Sequence, residues 1–432
     1  GLRMYNYLNI VSEQMRCKRA RPAVLKELKD HIEDQKDDYM TAGMTAQEAE
    51  EEAVRQMGDP VEVGVSLDRL HRPKMEWKLL SYIFLLSILG MVLQIFVHRN
   101  AGALLETDTM NPVIRQSFWM AVGIFVMFLI CYLDYSRIGQ YAREIWGLLL
   151  AGILLYYHFG VQINGGYLKV NLFAYAFIPV YAGILWNYRM QGWRGLVKSM
   201  VFLAISVLAV LRAPAIVPAF ILMLIGLLLL NMAVYKKWFG AERKRYFLLI
   251  WGSVAAISIV LFLMLLHAGW FSAMPLYQME RIQGIFHPME NGYYQMSAEV
   301  IGDGAEAFKS GTKIETSVWA TDVRGDFLWL CIFRYLGKGA GIICTILVAG
   351  LLVYLCRIVF RQKNRLGNMM GIGCTFLIVL QVILYVGMNF GCVPPTNVFM
   401  PFLSFGGTNL LIIYVYMGLI LSICYNSNVV KN

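Results

Sequence analysis

The sequence predicts an all-α polytopic membrane protein with about ten transmembrane helices, preceded by a small cytoplasmic helical domain. Three observations carry that prediction. Of the 432 residues, 58% are hydrophobic and 15% charged, against roughly 45–50% and about 25% in soluble globular domains. Apolar runs long enough to cross a bilayer recur from Leu79 onward. Residues 1–75 break that pattern, being polar and densely charged.

Within residues 1–75, Leu25, Leu28, His31, Ile32 and Gln35 recur with an approximate helical period. Thr45-Ala-Gln-Glu48 is a capping-box pattern that opens a second helix through Ala49, Ala53 and Met57. Gly58-Asp59-Pro60 stops that helix, and Val61, Val65 and Leu70 offer a third apolar face. The acidic run Glu48, Glu50, Glu51 and Glu52 reads as a solvated helix face. Ala49, Ala53 and the run Met57-Gly-Asp-Pro60 resemble the permease-prefix domains that precede some bacterial membrane proteins. That resemblance implies regulation or protein contact, with no chemistry.

The expected spans lie near 79–97, 116–134, 145–160, 173–188, 198–212, 214–235, 246–268, 326–356, 367–390 and 408–426. Alternate loops hold 14 basic residues, Arg137, Lys236, Lys237, Arg361 and Arg365 among them. The opposite loops hold only four, Arg99, Arg115, Lys169 and Arg212. This positive-inside bias places both termini in the cytoplasm and turns the long loop 269–325 outward. The net charge of +10 is thus a matter of membrane sidedness, and no nucleic-acid partner is expected. Eight cysteines without a CxxC spacing argue for buried thiols over disulfides or zinc. His98, His158 and His267, near span ends, read as interfacial histidines.

Chemistry is expected at two places. Between the last two spans, Pro394, Pro395 and Pro401 with Gly406-Gly407 forbid a regular helix. Lipid tolerates irregular backbone at that depth only where protein or a water-filled cavity surrounds it. The outward loop ends in Thr321-Asp-Val-Arg-Gly-Asp326 immediately before an apolar run. An acid at the mouth of a span is a functional candidate, and its bland alternative is a helix cap.

The block from Asp326-Phe327 to Gly337 resembles the Asp-Phe…Gly segment of the SEDS proteins, the RodA/FtsW/SpoVE group. Arg281…Phe286-His-Pro288 and Tyr294-Gln295-Met-Ser297 resemble that family's loop. Pro394, Thr396, Pro401, Phe402, Ser404, Gly406 and Gly407 match its Pro-x-Thr-Gly…Pro-Phe-x-Ser-Tyr-Gly-Gly signature, with Asn397 and Phe405 as departures. The resemblance implies a SEDS-like transmembrane domain over 79–432. It implies polymerisation of an undecaprenyl-pyrophosphate-linked peptidoglycan precursor at the outer face of a bacterial cell membrane. Asp326 would be the catalytic carboxylate, taking a proton from an acceptor hydroxyl. Arg281, Gln295, Ser297, Arg324, Thr396, Ser404, Gly406 and Gly407 would bind substrate. Arg281, Arg324 or a divalent cation would offset the pyrophosphate charge. A class B penicillin-binding transpeptidase is the implied partner.

Several family polar positions are changed. Arg334-Tyr335 stands where the family has a Glu-Glu pair, and Ile178-Pro-Val-Tyr181 where it has Gln-Pro-Ser-Glu. Ala213-Pro-Ala-Ile-Val-Pro218 lacks the acid of Gln-Pro-Asp-Leu-Gly-Thr, Tyr167 replaces a tryptophan, and Gly325 a threonine. Two alternatives therefore stay open beside the enzyme: an inert scaffold that binds cell-wall partners, and a transporter of lipid-linked sugars.

Overall fold

The computed structural model describes residues 2–18, 20–101, 111–160, 162–163, 166–167, 169–212, 215–267, 325–390, 392–393, 396 and 398–427. The chain forms two compact units, Gly1–Glu76 with Ile423–Asn432, and Trp77–Ser422.

In the first unit, α1 (Leu2–Gln14), α2 (Arg21–Thr41), α3 (Ala46–Gln56) and α4 (Pro60–His71) enclose a core of Tyr7, Val11, Ile32 and Ala53. Local chemistry sets the helix ends. Thr45 Oγ1 accepts the Glu48 amide, and the Glu48 carboxylate accepts the Thr45 amide and hydroxyl at 3.2 and 2.7 Å. These bonds hold the Glu48 carboxyl below the usual carboxylate range, the hydroxyl contributing most. Asp59 accepts the amides of Val61 and Glu62 at 2.7 and 3.1 Å, and Pro60 opens α4 where no amide hydrogen is needed. Along the acidic run, Glu51 pairs with Arg3 and Glu52 with Arg55, each at 2.8 Å.

The expected apolar face of α4 is not its packing face. Val61, Val65 and Leu70 are exposed. Instead α4 meets α1 through Gly64, where a Cβ would stand 2.7 Å from Gln14 Cβ. On the same face Asp68 accepts the Arg16 amide at 2.7 Å. Close backbone approach and one buried carboxylate outweigh the apolar stripe.

The second unit contains ten long apolar helices among the described residues. They are α5 (Trp77–Ala101), α6 (Pro112–Tyr132), α8 (Ala142–Phe159), α9 (Val170–Asn187), α10 (Gly192–Leu211), α11 (Ile216–Tyr235), α12 (Arg243–His267), α14 (Lys338–Phe360), α15 (Arg365–Asn389) and α16 (Gly407–Tyr425). Two short helices complete the set, α7 (Tyr135–Gln140) and α13 (Leu328–Tyr335). Eight of the ten are long and apolar enough to cross a membrane. The first turn of α8 carries Arg143 and Glu144, which dilute its hydropathy, and α12 is the remaining expected span. A two-residue pairing joins β1 (Gln162–Ile163) to β2 (Gly166–Tyr167). Helix α9 packs against α8, α10, α11 and α15, so α9 and α15 form the centre of the bundle.

One expected span divides. The run 326–356 is the eight-residue α13, a break at Gly337 and then α14. Gly337 sits at φ +96, a conformation closed to most side chains. Asp326 therefore precedes a short buried helix, and the long helix starts twelve residues later.

Candidate active site

The site grows from α13. Its residues Leu328, Trp329, Leu330, Cys331, Ile332 and Tyr335 are buried in one apolar cluster with Leu93 and Val97 of α5. The same cluster holds Cys344 and Val348 of α14, Val382, Tyr385 and Met388 of α15, and Val398, Met400 and Leu403 of the broken segment. The Trp329 indole donates to Thr345 Oγ1 at 2.9 Å, and its ring packs against Phe333 and Phe390. A helix this short cannot hold itself together in isolation. Packing fixes it.

Two side chains one turn apart on α15 then fix the acid's backbone. The Tyr385 hydroxyl donates to Gly325 O at 2.7 Å, and Asn389 Nδ2 donates to Asp326 O at 2.9 Å. The other end of the same amide, Asn389 Oδ1, accepts the Leu330 amide at 3.4 Å. Both α15 residues are fully buried. Phe327 occupies the N-cap of α13 and Asp326 stands one residue before it. Asp326 is partly buried, and no Asp or Glu follows it in the chain.

The broken segment is also held from neighbouring helices. Gln94 of α5 donates to Leu403 O at 3.0 Å. Gln116 of α6 accepts the Gly406 amide, and Gln381 of α15 accepts the Phe399 amide, each at 3.4 Å. The Gln381 amide also donates to Tyr175 OH at 2.7 Å, tying α15 to α9. All three glutamines are buried. They supply the hydrogen bonds that irregular backbone needs where water is absent. Contact is close throughout. A Cβ on Gly90 would stand 2.1 Å from Phe402 O, and Phe402 itself adopts φ +64.

The residues expected to bind substrate divide by surroundings. Thr396 lies beside α15, its amide on Met388 Sδ at 3.4 Å, and its buried hydroxyl has no hydrogen-bond partner among the described residues. Ser404 closes its own turn, accepting the Met400 amide and donating to Met400 O, both at 3.1 Å. Gly406 hangs from Gln116, and Gly407 packs on the Trp119 indole. Arg281, Gln295, Ser297 and Arg324 lie outside the described residues, as do Pro394, Pro395 and Asn397. Asp326 and Thr396 are thus brought to the same end of α15.

Among the departures, Tyr335 and Tyr181 are buried, and the Tyr181 hydroxyl has no partner among the described residues. Tyr385, Asn389 and the three glutamines were not anticipated. Their one sequence signal is an isolated hydrogen-bonding side chain inside an apolar span. Among the described residues no three His, Cys, Asp or Glu side chains converge, so the described part of the site does not by itself hold a divalent ion.

Comparison with known proteins bears on both units. A family model described as a cell cycle protein, FtsW/RodA/SpoVE, matches residues 77–429, and the HAAS model matches residues 6–64. The probable peptidoglycan glycosyltransferase FtsW of Enterococcus hirae is 28% identical over 384 residues, covering 81% of this chain and 92% of the relative. Its counterpart from Hydrogenovibrio crunogenus is 21% identical, covering 73% and 82%. Among solved structures, a chain of a peptidoglycan synthase complex that coordinates polymerization and crosslinking superposes with TM-score 0.61 at 17% identity, over 82% of this chain and 98% of that one. The rod shape determining protein RodA of Thermus thermophilus superposes with TM-score 0.55 at 15% identity, over 81% and 96%. With more than three quarters of its length matched by one family model and the same fold in its structural neighbours, the chain belongs to the FtsW/RodA/SpoVE family of cell cycle proteins.

Proposed function

We propose that this protein is a peptidoglycan glycosyltransferase of cell-wall synthesis, polymerising a polyprenyl-pyrophosphate-linked disaccharide into glycan strands. One observation carries the reading. The acid at the family's motif position has its backbone locked by Tyr385 and Asn389, beside the broken segment that carries Thr396. A reacting group whose main chain is held by hydrogen bonds keeps its position for the chemistry.

In the proposed step the Asp326 carboxylate takes the proton from an acceptor sugar hydroxyl. That oxygen bonds to the donor's anomeric carbon as the bond to the polyprenyl pyrophosphate breaks, and the pyrophosphate leaves with the electron pair. The Thr396 hydroxyl is a further group with hydrogen-bonding capacity to spare. Arg281 and Arg324 are the candidates for binding the pyrophosphate. A divalent cation, when bound, would offset charge there, and its ligands would have to come from substrate or from residues outside those described.

Sidedness follows from charge. Helix α15 spans 25 residues, about 37 Å at 1.5 Å per residue, so Asp326 stands at the opposite end from Lys236 and Arg365. The positive-inside bias then turns the acid outward and both termini to the cytoplasm. The structural neighbour drawn from a polymerizing and crosslinking complex supports a crosslinking transpeptidase as partner.

The burial of Tyr181 and Tyr335, where the family carries acids, favours a second reading as a non-catalytic scaffold. Reconstitution decides between them. Full-length protein in liposomes with lipid-linked disaccharide should yield glycan polymer. No polymer, with partner binding intact, would favour the scaffold, and intact precursor crossing the bilayer would favour transport.

A further inference from the structure

The end of the bundle opposite Asp326 gathers three cations from three helices. Lys236, directly after α11, donates from Nζ to Asn368 Oδ1 in the first turn of α15. Asn368 is itself held, donating to Val359 O at 2.9 Å. Arg365 begins α15 one turn earlier. Arg189, directly after α9, lies 3.5 Å over the Trp186 ring and donates to Trp186 O at 2.8 Å. Trp186 packs edge-on against Trp238, whose carbonyl accepts the Met190 amide at 2.7 Å. The turn after α9 and the turn after α11 are thereby tied together, with Lys236 and Arg189 on them.

Among the described residues none of the three cations has a carboxylate partner, and the first turn of α15 contains no acidic residue. Glu242, the acid of the loop that follows α11, is committed to Arg245 at 3.1 Å. Burial lowers the pKa of Lys236 and of Arg189, and the charge of Arg365 lowers both further. Helix electrostatics account for only two of the residues. Lys236 and Arg189 follow helix C-termini, which favour cations, whereas Arg365 occupies an N-terminus, which favours anions. The positive-inside tendency explains basic residues on this side but not the seating of Lys236 on Asn368 and of Arg189 on Trp186.

We propose that Arg189, Lys236 and Arg365 form a binding site for a phosphate group, supplied by the headgroup of an anionic phospholipid. Guanidinium and ammonium groups together suit a phosphodiester, bidentate from arginine and as a point charge from lysine. A lipid source is favoured because Met190 and Tyr235, the chain neighbours of Arg189 and Lys236, and Trp193 of the first turn of α10 are exposed, the apolar and aromatic side chains of a membrane interface. Occupancy here is independent of whether the other end of α15 catalyses.

The test titrates purified full-length protein in detergent with phosphatidylglycerol, phosphatidylcholine or inorganic phosphate, read by native mass spectrometry. Phosphatidylglycerol should be retained in preference to phosphatidylcholine. Arg189→Gln, Lys236→Gln and Arg365→Gln should each weaken it about fivefold, the scale of one cation near a phosphate surface. Lys236→Arg should bind as wild type, separating lost charge from lost folding, and exposed Arg365→Gln carries the test if Lys236→Gln is unstable. Undiminished binding by the three Gln variants, or an equal loss from Lys244→Gln in the first turn of α12, would overturn the site. Retention of inorganic phosphate without the lipid would overturn the lipid source.

Discussion

The two ends of α15 carry opposite charges, and both run against the helix's own field. Near its C-terminal end, which is electrostatically negative, Tyr385 and Asn389 hold the backbone of Asp326. At its positive N-terminal end, Arg365 begins the helix one turn before Asn368, which accepts from Lys236. Nothing in helix propensity or capping asks for either arrangement. Tertiary packing imposes both, through a buried asparagine at each end: Asn389 on the acid's carbonyl and Asn368 on the lysine. Charges placed against local preference are expected where function needs them. The ends differ in what is held. One end fixes the acid's main chain, and the other holds the lysine's ammonium group.

That comparison can be broken from the acid end first. Asn389→Leu leaves the Asp326 carbonyl and the Leu330 amide without their shared partner. Polymerisation should fall on the order of 10²-fold, the scale of a reacting group displaced by about 1 Å. Phosphatidylglycerol retention at the far end should not change. Equal loss of both would mean that α15 unfolds as a whole.

A smaller effect is expected from Gln381→Leu, which strips the Phe399 amide and Tyr175 hydroxyl of a buried partner. Thermal unfolding in detergent should show a loss of about 1–3 kcal/mol. An unchanged midpoint would show that the broken segment does not depend on that glutamine. Arg365→Glu sharpens the contrast at the basic end. It aligns charge with the helix field, so stability should rise by about 0.3–1 kcal/mol while lipid retention is lost. Stability and binding falling together would contradict a cation kept for its ligand. Least is expected of Tyr181→Phe. Its hydroxyl has no partner among the described residues, so melting should move by less than about 0.5 kcal/mol and polymerisation should hold. A large drop in rate would give that hydroxyl a part in the reaction.

Much of this was legible in the sequence, for physical reasons that also mark its limits. Membrane solvent writes itself into long apolar runs, and Pro401 with Gly406-Gly407 announces broken backbone. Capping at Thr45 and Asp59 is local chemistry, so it could be read from a few residues. The division of 326–356 is hard to read because Gly337 is one glycine in an apolar run, and its neighbours in sequence do not announce its positive φ. The face of α4 was misjudged because Val61, Val65 and Leu70 form the better stripe, whereas Gly64 and Asp68 make the contact. The clamp on the acid was silent. Asn389 lies 63 residues from Asp326, and nothing in either segment names the other. The basic end was visible as a bias between loops, but the bond from Lys236 to Asn368 needed the fold.

The central claim is that the carboxylate of Asp326 performs the chemistry, with its backbone held from α15. Asp326→Asn tests it most directly, since the main-chain carbonyl that Asn389 holds is retained while the base is removed. Purified wild type and variant should melt at the same temperature and bind lipid-linked disaccharide equally, with glycan strands formed by the wild type alone. Strands formed by the variant at a rate near that of the wild type would contradict the account.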